Sequence, residues 1–117
     1  MAKLCDFGVS EKIDKGDILS KTAGTYHFFP PECCDPEVEQ YSGKAADIWA
    51  LGITLFCLMY NQLPFWDHDN CENEYSVLEL ILKNDVVIPT HIERSQGLQE
   101  LLLQMLEKDP SKRISME

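Results

Sequence analysis

The residues of this chain whose types and spacing could do chemistry begin with the tripeptide Asp6-Phe7-Gly8. Gly8 would let the backbone turn sharply, and an inward-packed Phe7 would fix the angle of the Asp6 carboxylate. A carboxylate held in this way can bind magnesium against phosphate oxygens, whose charge must be neutralised as a phosphoryl group moves. An isolated match of three residues also fits a turn with a solvated aspartate. Motifs further along the chain must decide between the two interpretations.

Four more patterns occur in order after this tripeptide. Residues 24–32 have the sequence Gly-Thr-Tyr-His-Phe-Phe-Pro-Pro-Glu, and residues 47–52 have Asp-Ile-Trp-Ala-Leu-Gly. Residues 63–65 are Leu-Pro-Phe, and residues 109–113 are Asp-Pro-Ser-Lys-Arg. Five ordered motifs leave coincidence little room, and together they resemble the protein kinases, in which an activation segment runs from D-F-G to P-E. Pro30 departs mildly from the family pattern, which has Ala or Ser there.

The resemblance implies a role in phosphoryl transfer for several of these residues. Asp6 would bind magnesium and, together with Phe7 and Gly8, would form part of the cofactor site, with ATP and Mg²⁺ as the cofactors. Thr25 resembles the threonine that steadies the catalytic loop and is typical of serine/threonine kinases. The resemblance thus implies Asp6 and Thr25 as catalytic residues.

Four other residues receive structural roles from the same resemblance. Glu32 and Arg113 resemble a buried ion pair that anchors the activation segment to the helical lobe. Asp47 resembles a buried aspartate that accepts backbone hydrogen bonds from the catalytic loop, and Trp49 belongs to the same helix motif. Without the resemblance, Asp47 would be a first-turn residue favoured by the helix dipole, and Trp49 would be ordinary core.

Residues 6–10, 22–25 and 41–52 resemble the calcium/calmodulin-dependent protein kinase kinases and related upstream kinases. Those enzymes phosphorylate the activation loops of other kinases, so the expected partners are protein substrates, including other kinases. Calmodulin would bind only through regions outside these 117 residues. Ser20 and Thr22 are candidate phosphorylation sites, because an added phosphate can order a loop by pairing with cations. An unmodified polar loop is the alternative.

Composition narrows the classes of partner and compartment. Twenty acidic against ten basic residues give a net charge of −10, which argues against binding nucleic acid or an anionic membrane surface. Five cysteines without a C-x-x-C motif indicate neither a disulfide framework nor a zinc site. Free thiols favour a reducing compartment, so a cytoplasmic location is expected, with the nucleus as the alternative. The apolar run 48–60 is shorter than the ~20 residues of a membrane span and is interpreted as a buried helix.

Two groups of polar side chains remain open or unassigned. An acidic loop could recognise basic substrate segments, or it could simply be solvated; its residues are Asp67, Asp69, Glu72 and Glu74. The three histidines lack the spacing of a metal site and receive no role; they are His27, His68 and His91.

The resemblance implies a mainly α fold, the C-terminal helical lobe of a protein kinase. Residues 1–32 would be the activation segment and residues 33–117 the distal helical lobe, truncated at its C-terminus. Apolar periodicity and capping residues predict helices over residues 32–34, 42–60, 75–83 and 95–108, with Ser42 and Ser95 as caps. The end of a strand is predicted at residues 2–5, and an extended piece at residues 86–88.

Parts that a working kinase needs are not among these residues: the Gly-rich loop, the strand lysine and the H-R-D…N catalytic loop. In the family they precede D-F-G, so the N-lobe is expected to be absent and the chain inactive alone. The alternative is a non-catalytic module that binds kinase substrates or partners. Because parts that would cover it in a complete kinase are not among these residues, the helix over residues 42–60 is expected to present an exposed apolar patch. This patch would be larger than the apolar patches that a soluble monomer usually exposes.

Overall fold

A computed structural model describes residues 1–13, 16–20, 22–66, 69 and 72–117. In chain order its elements are strand β1 (Ile18–Leu19), a 3₁₀ helix (Tyr26–Phe28), helix α1 (Pro31–Cys34), strand β2 (Tyr41–Ser42), and helices α2 (Gly43–Tyr60), α3 (Glu74–Lys83) and α4 (Gln96–Met105). Helix α2 packs against α4, while α1 and the 3₁₀ helix pack against α3. The described part of the chain is therefore helix-rich, in agreement with the predicted mainly α class.

Helix α2 is the centre of the fold, and its predicted bounds are confirmed. It begins where the Ser42 hydroxyl accepts the Ala45 N–H at 3.1 Å, which satisfies one of the free donors of the first turn. It ends at Asn61, whose φ of 53° and ψ of 35° place it in the left-handed region that asparagine tolerates. The side chains of Trp49, Ile53 and Phe56 are completely buried.

The length of α2 revises one expectation. The helix has 18 residues, so by length and composition it would qualify as a membrane span, whereas the apolar run 48–60 alone is too short for one. Its buried side chains contact other parts of the same fold: Trp49 stacks on Phe65, with ring centroids 5.9 Å apart. A helix that buries its apolar side chains inside its own domain is typical of a core helix.

Gly52 allows the close packing of α2 on the end of α4. A Cβ at this position would lie 2.9 Å from Leu106 Cδ2 and 3.0 Å from Met105 Cβ. Contacts this short do not occur between carbon atoms in well-packed interiors. The expectation that a glycine within this helix marks a close approach is confirmed.

Helices α3 and α4 are confirmed, with shifted ends. Helix α3 begins at Glu74 and not at Tyr75, because the Asn73 side chain accepts the Ser76 N–H at 3.1 Å and caps the helix one residue earlier. Helix α4 is capped by Ser95 as predicted, but it ends at Met105 and not at Lys108. Beyond this point the chain folds back, and the Ile114 N–H donates to the Gln104 carbonyl in the last turn of α4 at 3.2 Å.

One extended segment differs from the prediction. Residues 2–5 are exposed and form no strand, because no neighbouring strand in the described residues supplies the hydrogen bonds that a strand requires. Residues 86–88, predicted to be extended, belong to no helix and no strand, which leaves that prediction as it was. Instead, β1 and β2 form a small antiparallel sheet in which Ile18 pairs with Ser42 and Leu19 with Tyr41. Two-residue strands leave no periodic signal in a sequence, so this pairing was not predicted.

Candidate functional site

Asp6 lies immediately before an exposed turn, near the start of the described chain. Its φ of 62° is left-handed, a conformation that costs about 1 kcal/mol for residues with a Cβ and is tolerated best by Asn and Asp. The turn is closed by a hydrogen bond from the Ser10 N–H to the Phe7 carbonyl at 3.1 Å. Gly8 lies at the centre of this turn, as expected, while the residue with the left-handed φ is Asp6, just before it.

Phe7 does not pack inward as predicted. Its side chain is 66% exposed, because residues 1–10 lie on the surface throughout and no apolar pocket of the described residues receives the ring. In this structure the Phe7 ring therefore does not fix the angle of the Asp6 carboxylate.

The Asp6 carboxylate fits one mode of magnesium binding. Mg²⁺ is often held by one or two carboxylates, with phosphate oxygens and water completing the octahedron, and Asp6 offers one exposed carboxylate of this kind. Among the described residues no group of three or more Asp, Glu, His or Cys side chains forms a metal cage. The donor set suits a metal that arrives with a nucleotide and not a metal held by protein alone.

Glu32 and Arg113 form a buried, two-pronged ion pair. Arg113 Nη1 lies 2.7 Å from Glu32 Oε1, and Nη2 lies 2.9 Å from Oε2. The arginine side chain is fully buried and the glutamate side chain is 6% exposed. Parallel bonds of this type are charge-assisted and geometrically specific. They tie α1, directly after the loop that carries Thr25, to a residue 81 positions later.

The remaining donors of Arg113 bind backbone carbonyls. Nη1 also donates to Ala45 at 2.8 Å, Nε to Glu107 at 2.8 Å, and Nη2 to Lys108 at 3.3 Å. The last two carbonyls belong to residues just beyond α4, so Arg113 satisfies acceptors of the turn that follows this helix. The pair therefore holds α1, the first turn of α2 and the end of α4 together.

Trp49 lies beneath the guanidinium group. The Arg113 Cζ is 5.2 Å from the ring centroid, within the range of a cation–π contact. The indole Nε1 is buried and has no hydrogen-bond partner among the described residues. Trp49 thus supports the ion pair through its ring face and not through its N–H group.

Thr25 lies at the start of the 3₁₀ helix. Its carbonyl accepts the Phe28 N–H at 3.0 Å, while its side chain makes no capping bond and is exposed. The preceding Gly24 has a φ of 113°, which only glycine adopts without strain. The Thr25 hydroxyl is thus presented to solvent, and no hydrogen bond in the described part of the chain joins it to Asp6.

Asp47 was expected to be buried, and the structure contradicts this: its side chain is exposed. The catalytic loop that would cover it under the resemblance is not among these 117 residues. Leu51 and Leu58 lie on the same face of α2 and are 53% and 78% exposed. Two exposed leucines therefore lie on the same side of this helix as Asp47, while the predicted size of the apolar patch stays a prediction.

The two candidate phosphorylation sites differ in their surroundings. Ser20 and Thr22 are both exposed, but the Thr22 side chain lies beside the Cys33 thiol and the Tyr41 phenol. Burial raises the pKa of Cys33 to about 11 and that of Cys34 to about 12. Both thiols are therefore protonated at neutral pH and poorly nucleophilic.

Sequence reasoning gave His27 no role, yet its ring joins an aromatic stack. The His27 and Trp66 ring centroids are 5.2 Å apart, and those of His27 and Tyr26 are 4.4 Å apart. Burial lowers the pKa of His27, since desolvation disfavours the charged imidazolium. A histidine followed by aromatic residues was the available signal, but it did not identify Trp66 as the partner.

The residues of the acidic loop and the two other histidines do not cluster into a site in the described part of the chain. Asp69 and Glu72 are exposed, as is His91, while Glu74 belongs to the first turn of α3. Asp67 and His68 lie outside the described residues. Substrate recognition by the acidic loop stays a prediction.

Comparisons with known proteins agree on one family. Residues 1–117 match the protein kinase domain. The chain is 42% identical to a calcium/calmodulin-dependent protein kinase kinase of Emericella nidulans over 98% of its length, and 41% identical to one of Caenorhabditis elegans over 97%. It is 37% identical to the serine/threonine-protein kinase ssp1 of Schizosaccharomyces pombe over 97%. It spans about a fifth of each of these relatives, 21%, 21% and 18%.

Proposed function

The chain belongs to the protein kinase family, and we propose that it is part of an enzyme that transfers the γ-phosphoryl group of ATP to serine and threonine hydroxyls of proteins. The observation that carries this proposal is the match of the whole chain to the protein kinase domain. The relatives named above are serine/threonine or calcium/calmodulin-dependent kinase kinases, which supports the acceptor class. In this proposal residues 1–32 are the activation segment and residues 33–117 belong to the distal helical lobe.

Asp6 would hold Mg²⁺ beside the nucleotide, with Phe7 and Gly8 completing its turn. The bound ion would neutralise charge on the transferring phosphoryl group. The exposed carboxylate of Asp6 is suited to this task, because it offers oxygen ligands and leaves the remaining coordination positions to phosphate and water. Thr25 would orient groups of the catalytic loop through its exposed hydroxyl.

The Glu32–Arg113 pair would fix the segment that faces the protein substrate. Residues 24–32 end at Glu32, and Arg113 holds that glutamate against α2 and the end of α4. Positioning contributes much of the catalysis of phosphoryl transfer, since the protein does little covalent chemistry. A rigid anchor close to the substrate-facing segment supports this role.

We further propose that the substrates include other protein kinases, because two of the relatives are named protein kinase kinases. A cytoplasmic location, with the nucleus as alternative, also stays a prediction. The 117 residues alone are proposed to be inactive, since the H-R-D…N loop that supplies the catalytic base and the second magnesium ligand is not among them.

The test compares two products of the coding region: the 117-residue chain and the longest product that contains it. Each is assayed for magnesium-dependent transfer of labelled phosphate from ATP to a protein substrate, followed by phosphoamino-acid analysis. We expect phosphoserine or phosphothreonine from the longer product and none from the shorter. A folded longer product that neither binds ATP nor transfers phosphate would favour the non-catalytic interaction module. Phosphotyrosine alone would contradict the acceptor class.

A further inference from the structure

Asp17 joins the loop after Asp6 to the first turn of α2. Its carboxylate accepts the Lys44 N–H at 3.0 Å through Oδ1 and the Ser42 hydroxyl through Oδ2. Its carbonyl accepts the Gly43 N–H at 3.2 Å. One residue thus binds three consecutive residues at the start of the central helix, 25 to 27 positions away in sequence.

The Ser42 hydroxyl takes part in this contact and in helix capping at once. It donates its hydrogen to Asp17 and accepts the Ala45 N–H at 3.1 Å. Because the Ser42 hydroxyl hydrogen is directed at Asp17, a lone pair of the Ser42 oxygen is free to accept the Ala45 N–H and cap the helix. A carboxylate is also favoured at a helix N-terminus by the dipole.

Backbone conformation and packing indicate that this contact is specific. Asp17 has a φ of 50°, a strained value for a residue with a Cβ. A Cβ at Gly43 would lie 2.9 Å from Leu19 Cδ1 and 3.4 Å from Asp17 Oδ1, so a glycine at this position lets residues 17–19 lie directly on the helix. The β1–β2 pairing continues the contact from Ser42 to Tyr41.

We propose that Asp17 is a positioning residue that docks the activation segment on α2 through Ser42 and Lys44. This proposal rests on the proposed kinase function. Residues 17–19 and Thr22, whose side chain lies beside Tyr41 and Cys33, shortly precede residues 24–32 in the chain. The docked segment therefore sets where the substrate-facing loop begins. The Asp17 carboxylate orders this loop in the same way as a phosphate group can order a phosphorylated loop. Both groups are anions that accept hydrogen bonds at a helix N-terminus.

Two variants separate docking from helix capping. Asp17→Ala removes the carboxylate. Ser42→Asp keeps a good helix cap but sets a second negative charge against Asp17. The double variant Asp17→Asn with Ser42→Asp has an amide donor at position 17 and a carboxylate acceptor at position 42. It should therefore restore a hydrogen bond between the two positions, with donor and acceptor exchanged. Glu11→Ala, which removes an exposed carboxylate of the same loop, is the matched control.

The first readout is amide hydrogen exchange of residues 17–20 and 41–44 in the 117-residue chain, with helix content followed by circular dichroism. We expect about tenfold faster exchange in Asp17→Ala and in Ser42→Asp at unchanged helix content. The double variant and Glu11→Ala should exchange like the parent chain. Parent-like exchange in both single variants would overturn the proposal.

The second readout is steady-state kinetics of the longest product. We expect each single variant to raise KM for the protein substrate and to leave KM for ATP unchanged, with recovery in the double variant. Faster exchange without any change in the protein-substrate KM of an active enzyme would overturn the positioning role. If the longest product has no kinase activity, the proposed function fails, while the exchange experiment still decides whether Asp17 docks the loop.

Discussion

Arg113 and Glu32 form two parallel hydrogen bonds in the interior of the protein. Nη1 donates to Oε1 at 2.7 Å, and Nη2 donates to Oε2 at 2.9 Å. Neither side chain is more than 6% exposed. Because the same arginine also holds carbonyls at the first turn of α2 and beyond α4, this pair connects the start, the middle and the end of the helical part of the chain.

Removal of the arginine should therefore destabilise the fold strongly. Arg113→Met leaves Glu32 as a buried, uncompensated charge, and we expect a loss of about 3–5 kcal/mol in the free energy of unfolding. Denaturant unfolding measures it. Lys112→Met is the matched control, because Lys112 is 74% exposed and surface pairs contribute about 0–1 kcal/mol. A loss in Arg113→Met no larger than in Lys112→Met would contradict this interpretation.

Two helix glycines should respond in opposite directions to alanine. Gly52→Ala gains about 1 kcal/mol of helix propensity, but its Cβ would meet Leu106 and Met105 at 2.9 and 3.0 Å. Overpacking costs about 1–3 kcal/mol, so we expect net destabilisation. Gly97→Ala meets nothing within 4 Å and should stabilise by up to about 1 kcal/mol. Thermal melts of both variants check this, and stabilisation by Gly52→Ala would show that α4 moves away easily.

The adjacent cysteines should be unreactive at neutral pH. Burial raises the pKa of Cys33 to about 11 and that of Cys34 to about 12, so few thiolates form. Alkylation of the native chain with iodoacetamide, mapped by mass spectrometry, should label the exposed Cys5 well before either. Equal labelling rates would contradict the burial of these thiols.

The same thiols predict how stability depends on pH in alkali. Since their pKa values are higher in the folded than in the unfolded chain, the folded state binds more protons above the unfolded value of about 9. Their contribution to stability is complete below pH 9 and is lost as the pH rises through about 11 for Cys33 and about 12 for Cys34. Cys33→Ala with Cys34→Ala should flatten this part of the stability profile. An unchanged slope would contradict the assignment.

His27 predicts a loss of stability on the acid side. Its pKa is lowered by burial from 6.5, so the unfolded chain binds the proton more readily as the pH falls below that value. The stabilisation present above pH 6.5 should decline during acidification. Protonation also changes the ring that stacks on Trp66, so tryptophan fluorescence should report the change. His27→Gln should abolish this step, and its persistence would assign the step to another group.

The features that could be predicted from the sequence were those encoded by residues close together in the chain. The Ser42 and Ser95 caps and the apolar faces of α2 and α4 were predictable, because helix signals repeat within a few residues. Glu32 and Arg113 were connected through family resemblance, since a separation of 81 positions carries no local signal. The structure then shows that they meet.

Other features depended on contacts that no local pattern encodes. The Asp17–Ser42 bond joins two residues 25 positions apart, and neither lies within a periodic stretch of sequence. The inward packing of Phe7 was inferred from the tripeptide alone, and the burial of Asp47 was an expectation carried over from a family resemblance. Their exposure here follows from the neighbours that these 117 residues supply.

The central claim is that this chain contributes a magnesium-binding aspartate to a serine/threonine kinase. The most direct test is phosphate transfer by the longest product carrying Asp6→Asn, with the exposed Asp85→Asn as the matched control. We predict that Asp6→Asn lowers kcat at least about 100-fold with an unchanged melting temperature, while Asp85→Asn keeps full activity. Equal activity of the two variants would contradict the claim.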